Sequence, residues 1–279
     1  MNLKALLFVN MLATQSNGLQ SSSVTSLFRQ SVREGQYTKP TNGQCSGFIQ
    51  CNLVVLQEKD AFDFLLFCQR NKQACPLIEV LDKGSYTPLL SAQGADLRTD
   101  IPKYRIFKNG LLVNEVTNVI NEWPEDGIAF LIGCSFTTES ALLKANIPLR
   151  SVEQKTNVPM FRTNIPCVPA GKLKGNMVVS MRPVKGSQIA QEVLITNQYP
   201  HAHGPPVCIG VPVSIGIQDV MKPDFGQPVD IMDDEVPVFH ACGVTPQVSP
   251  SSFLSKCIYF YTSGAFSHKV LEKTNKHRQ

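Results

Sequence analysis

A chain of 279 residues is long enough to bury a substantial core, either as one large domain or as two interlocked lobes. Hydrophobic residues make up 43% of it and charged residues 17%, against roughly 25% in an average soluble domain, so much of the chain should line an interior or a subunit interface, and a homo-oligomer is expected. Its 26 basic and 22 acidic residues give a net charge of +4 and form no clustered basic stripe, which argues against nucleic acid as a partner.

Residues 1–21 hold one lysine before a short apolar run, Ala5 to Ala13, and read as a leader or presequence. That run is too short to cross a bilayer and no later segment has the length, so no membrane partner is expected. "SSVTSLFRQSVRE" (22–34) offers hydroxyl caps and then Leu27, Phe28 and Val32, the pattern of a short amphipathic helix stopped at Gly35. "FIQCNLVVL" (48–56) predicts a strand, and "DAFDFLLFCQRN" (60–71) a helix with Phe62, Leu65, Leu66 and Gln69 on one face behind an Asp cap. "CPLIEVL" (75–81) returns to strand character. In "YRIFKNGLLVNEV" (104–116), Asn109-Gly110 between two alternating runs predicts a hairpin. "GIAFLIGCSFTTESALLKANIP" (127–148) runs from an apolar strand through Gly133-Cys134-Ser135 into a helix capped near Thr137, with Glu139 in its first turn and backbone N–H groups free at the bend. "NMVVSMRPV" (176–184) predicts a buried strand, Ser187–Thr196 a helix, and "VPVFHACGV" (236–244) a last strand. Strands and helices alternate without a regular βαβ period, so the class is α/β (mixed α+β) with mixed sheets.

The nine cysteines include no C-x-x-C pair, the pattern of reduced interior thiols rather than of a disulfide framework or a zinc ribbon. Phosphate-binding glycine loops, H-E-x-x-H and G-x-S-x-G are all missing, and neither cofactor nor metal is expected. Three polar constellations remain. Cys134-Ser135 stands at a predicted helix N-terminus, where the dipole lowers a thiol pKa and N–H groups hold a carboxylate; a buried cysteine beside a capping serine is the plain alternative. Arg98 in "GADLRTD", Arg162 in "MFRTN" and Arg182 in "SMRP" suit bidentate carboxylate binding, or ordinary pairing with Asp96 or Asp100. In "YPHAHGPPVCIGVP" (199–212), His201 and His203 could share a metal only if the backbone turned; one proton-carrying loop histidine is the other reading.

Taken together, "FDFLLFCQRN" (62–71), "GADLRTDIPKYRIF" (94–107), "AFLIGCSFTTESALL" (129–143), "NVPMFRTNIPCVPAGKLKGNMVVSMRPV" (157–184), "KPDFGQPV" (222–229) and "EVPVFHACGVTPQ" (235–247) resemble one family, that of D-glutamate cyclase, whose bacterial members are described as hydro-lyases of unassigned specificity. The resemblance runs from about Ser22 to Gln247, which divides the chain into a leader (1–21), a cyclase-like domain (22–247) and a C-terminal tail (248–279). It implies a mixed α/β fold of two intertwined lobes. It also implies conversion of D-glutamate to 5-oxo-D-proline with loss of water, and the mitochondrial matrix of the animal members, with the cytoplasm as alternative. The partner would be a small amino or hydroxy dicarboxylate.

Such chemistry needs a base, an acid or oxyanion donor, and a cation for carboxylates. It assigns Arg98, Arg162, Asn164 and Arg182 to substrate carboxylates, the Cys134-Ser135 turn to the oxyanion, and His203 or Asp219 to proton transfer. Cys208 and Val211 stand where the family pattern has His and Asp, His240 stands where it has Trp, and the residues after Gln247 diverge, with a basic solvated end from Lys269 to Arg278. These departures motivate a second expectation, a non-catalytic small-acid-binding protein or truncated pseudoenzyme.

Overall fold

The computed structural model describes residues 21–248, 256–260 and 264–269. The leader up to residue 20 and the basic end beyond residue 269 lie outside the described residues.

Helix α1 (Ser21–Arg33) ends at Gly35, whose φ of +70° is natural only for glycine. Its buried stripe is Thr25, Arg29 and Val32 at i, i+4 and i+7, while Leu27 is exposed. The polar stripe is explained by Asp100, a buried carboxylate that faces Arg29.

Strand β1 (Phe48–Gln57) is buried along most of its length, and its side chains alternate between two cores. Cys51, Leu53 and Val55 join Leu97, Ile101, Tyr104 and Leu131 on one face. Val54 and Leu56 join Phe130 and Ile132 on the other, under helix α2 (Glu58–Arg70), which contributes Phe64, Phe67 and Cys68. Each such side chain withdrawn from water contributes about 1.5–3 kcal/mol before entropy is set against it. Asp60 lies inside the first turn of α2 instead of capping it; Gln57 holds the cap position and makes no side-chain bond there.

Strand β2 (Leu77–Val80) follows, and then the hairpin of β3 (Tyr104–Lys108) and β4 (Leu111–Val116), turned by Asn109 and Gly110 at φ +48° and +79°. Strand β5 (Gly127–Gly133) pairs with β1 from Gln57 opposite Gly127 to Cys51 opposite Gly133. A 3-10 turn (Ser135–Thr138) leads into the six-residue helix α3 (Glu139–Lys144), and a single helical turn, α4 (Arg150–Glu153), comes next. Strands β6 (Met160–Pro166) and β7 (Asn176–Lys185), helix α5 (Ile189–Thr196), and strands β8 (Cys208–Ile209) and β9 (Glu235–Ala241) form the second half, closed by helix α6 (Thr245–Val248). The segment expected as a tail supplies two further strands, β10 (Lys256–Phe260) and β11 (Gly264–Lys269).

The class is mixed α/β, as expected, and every described strand pairing is antiparallel. One sheet has seven strands in the order β2-β5-β1-β10-β3-β4, with β11 also on β1; the other has four in the order β6-β7-β9-β8. On the four-stranded sheet Phe161, Val179, Met181 and Phe239 pack with Ile215, Ile217 and Val229. Val184 and Val238 pack instead against Leu142, Ile147 and Leu149 around α3.

The sheets meet at the end of β5, where two glycines permit contact. A Cβ on Gly133 would lie 1.7 Å from the His201 carbonyl oxygen, and one on Gly243 would lie 2.0 Å from Asn52 Nδ2. Neither position admits a side chain without moving the backbone or the buried amide beside it.

Candidate active site

The 3-10 turn after β5 is held to β1 by backbone and side chain together. The Cys134 N–H donates to the Gln50 carbonyl at 3.0 Å, and the Gln50 N–H donates to Thr137 Oγ1 at 3.0 Å. This places Ser135 beside Arg182 of β7. Arg182 is only 6% exposed; its Nη2 donates to Ser135 Oγ at 3.0 Å, and its Nη1 lies 3.5 Å from Ser180 Oγ on the same strand face. The nearest carboxylate is Glu139 of α3, at 3.9 Å from Nη2, which is an ion-pair distance but not a hydrogen bond.

Glu139 is itself buried, and its other oxygen accepts the Gly43 N–H at 2.7 Å. Burial pushes its carboxyl up to about 7, against the opposing pull of Arg182 and the Gly43 amide. Near neutral pH it can therefore exist as acid or as carboxylate.

His203 completes the cluster. It follows a 3-10 turn (Pro200–Ala202) and adopts φ +78°, an uncommon conformation for a residue with a side chain. Its ring is 1% exposed, and Nδ1 lies 2.8 Å from the Gln73 carbonyl. A carbonyl only accepts, so Nδ1 carries the proton and Nε2 carries the lone pair in the neutral ring; that Nε2 is buried without a hydrogen-bond partner. Burial lowers the His203 pKa to about 4, helped by His240 and Arg182 and opposed by the Gln73 carbonyl and by the Gly133 carbonyl, which lies near the ring without making a hydrogen bond to Nε2. Cys242, which also feels Arg182 and Cys134, is pushed up to about 12 by burial and stays a thiol.

The structure thus brings together Cys134, Ser135, Arg182 and His203 of the residues singled out in the sequence. It separates the other four from them. Arg98 donates to Asp96 at 2.8 Å and stacks 3.3 Å over the Tyr86 ring. On β6 the pleat turns Phe161 and Thr163 inward and Arg162 and Asn164 outward; the Arg162 side chain is 60% exposed and 3.9 Å from Asp224. The Asp219 side chain is 42% exposed, bonded to the Met221 N–H and paired with Lys222 at 3.2 Å, contacts that hold its carboxyl below the usual range. The backbone does turn between His201 and His203, but among the described residues no group of three His, Cys, Asp or Glu is placed to hold a metal ion.

Two features escaped the sequence. Glu139 reads there as a helix-dipole residue, whereas its partner Gly43 is far away in the chain. His240 and Glu192, both buried, form a 2.7 Å pair between β9 and α5. A charged residue in a mostly apolar run, as Glu192 is in "IAQEVLI", is the one local signal for such a pair.

A family model described as D-glutamate cyclase matches residues 128–266. A protein of Bacillus licheniformis named "Putative hydro-lyase" is 56% identical over 216 residues, covering 77% of this chain and 82% of its own length. The chain belongs to the D-glutamate cyclase family. Similarly named relatives from Geobacillus kaustophilus and Bacillus subtilis are each 52% identical, over 78% and 77% of this chain and 83% and 84% of theirs. The family's class is that of a lyase, specifically a hydro-lyase. The match continues past Gln247 through β10 and into β11, so the family pattern extends beyond the point where the sequence suggested that it stops. A solved nitrogen repressor-like protein from Methanococcus jannaschii aligns over 81% of this chain and 86% of its own, at 9% identity and a TM-score of 0.35, too low to carry an argument. The mitochondrial expectation is corrected: these relatives are bacterial, from organisms without mitochondria.

Proposed function

We propose that this lyase removes water from a small amino or hydroxy dicarboxylate, with D-glutamate to 5-oxo-D-proline as the specific reaction. The observation that supports the reading is a buried, partnerless imidazole nitrogen in the same cluster as a buried arginine and a carboxyl with a pKa near 7. In this reaction the α-nitrogen forms a bond to the γ-carboxyl carbon, one carboxyl C–O bond breaks, and two protons from the ammonium leave with that oxygen as water. His203 Nε2 takes a proton as the C–N bond forms and the nitrogen becomes acidic. Glu139 in its acid form delivers a proton to the departing oxygen. Arg182, with Ser135 Oγ, binds the carboxylate whose charge grows in the tetrahedral intermediate, an electrostatic contribution that is strongest where water is excluded. Cys134 lines the turn beside them.

Appearance of 5-oxoproline from D-glutamate, above a heat-inactivated control, tests the specific reaction. No turnover across a panel of amino and hydroxy dicarboxylates overturns the catalytic reading. Thermal stabilisation by those acids without turnover would assign the same site to binding alone.

A further inference from the structure

Gly43, the residue that holds Glu139, also lines a surface cleft of about 730 Å³, a volume within the range of small-molecule sites. The cleft runs between the 37–44 segment and the 152–157 segment, two walls tied together where Asn42 Nδ2 donates to the Thr156 carbonyl at 3.2 Å. Its fourteen lining residues include three lysines, Lys39, Lys103 and Lys155, and no carboxylate. Lys103 is paired with Glu115 at 3.0 Å, but among the described residues Lys39 and Lys155 have no acidic partner. Lys155 is also held at φ +56°, just past the end of α4, where glycine is the usual residue. A lysine there costs backbone strain of about 1 kcal/mol, and it stands on the wall of a cleft whose charged lining residues are all lysines. A concave surface of one sign concentrates ions of the other.

We infer that this cleft is a binding site for a small organic polycarboxylate, held by Lys39, Lys103 and Lys155 next to the Glu139 cluster. At about 730 Å³ the cleft exceeds what a single five-carbon diacid fills, so the ligand class extends to tricarboxylates and to diacids carrying a further substituent. The inference does not require the lyase reaction, since the lysines lie outside the residues assigned to it.

Titration calorimetry of the full chain with tricarballylate is the test, with inorganic phosphate as a second arm and a Glu139→Gln variant as a third. Saturable binding in the millimolar range or tighter is expected, weakened about tenfold or more in a Lys39→Gln/Lys155→Gln double variant and unchanged in Lys59→Gln on α2. Glu139→Gln should retain tricarballylate binding while losing turnover, which separates this inference from the catalytic one. Absence of saturable binding, or binding indifferent to the double substitution, would overturn it. Phosphate binding as tight as tricarballylate, with the same lysine dependence, would also overturn it, because the cleft would then read charge without reading carboxylates. Circular dichroism of the double variant establishes that it is folded.

Discussion

Among the described residues arginine is buried in two places, with different partners. Beside α1, Asp100 is satisfied on every side: it accepts two bonds from Arg33, the Asp96 N–H at 2.9 Å and Thr99 Oγ1 at 3.0 Å, and it stands 3.4 Å from Arg29. In the active-site cluster, Arg182 has only hydroxyls at bonding distance, its carboxylate is 3.9 Å off, and the nearby imidazole nitrogen has no partner. Arg29 thus faces a carboxylate at ion-pair distance, although its Nε and Nη1 have no hydrogen-bond partner, whereas Arg182 is met at bonding distance by hydroxyls alone, which a ligand carboxylate can replace. On that contrast we propose Arg182 as the functional arginine and Arg29 and Arg33 as structural ones.

Replacing Arg182 by Met should sharpen that contrast most. We expect kcat/KM to fall about a thousandfold, the scale of one lost oxyanion donor, while the melting temperature changes little. A loss of stability without a selective loss of turnover would assign Arg182 to the frame instead. Asp100→Asn should do the reverse, destabilising the fold by about 3 kcal/mol because Arg29 is left buried without its counter-charge, with kcat preserved in the folded fraction. Urea denaturation reads that difference, and an unchanged midpoint would break the comparison.

The titrations of Glu139 and His203 give the next effect. With the base neutral above about pH 4 and the acid protonated below about pH 7, kcat/KM should be highest between those values, and the residual activity left in Glu139→Gln should lack the upper limb. On stability the two groups oppose each other. Glu139 binds its proton more tightly folded than unfolded, so its contribution falls as pH rises from 4.5 to about 7. His203 is lowered from 6.5, so its contribution falls as pH drops from 6.5 to about 4. Glu139→Gln should therefore be more stable than the parent at pH 8, by up to ~3 kcal/mol, and a thermal melt at that pH checks the sign. The smallest effect belongs to Arg98→Ala: loss of this partly exposed ion pair should cost under ~1 kcal/mol and leave kcat/KM unchanged.

What the sequence disclosed was mostly local. Asn109-Gly110 announced its hairpin because a two-residue turn with positive φ needs those residue types, and the apolar runs of β1 and β5 announced buried strands. Arg182 was visible as a charge inside a run that otherwise belongs to a core. What stayed hidden depended on residues distant in the chain: Gly43 against Glu139, Gln73 against His203, and Glu192 against His240. Arg162 and Arg182 look alike in sequence, each next to apolar residues, and only the phase of the pleat on β6 and the burial of both faces of β7 tell them apart.

The position of β10 bears on how the chain reaches this state. Its residues lie between β1 and β3 in the sheet, pairing Val54 with Tyr259 on one side and Ile106 with Ile258 on the other. During synthesis β1 leaves the ribosome long before residue 256 does, an interval on the order of 10–40 s at ordinary translation rates. Until then β1 and the β3–β4 hairpin each present an open, apolar strand edge with no permanent neighbour, and the nascent chain must be kept from pairing those edges with another copy of itself. The gap closes from the C-terminal side, so the yield of soluble protein should depend on how fast that late-made strand arrives.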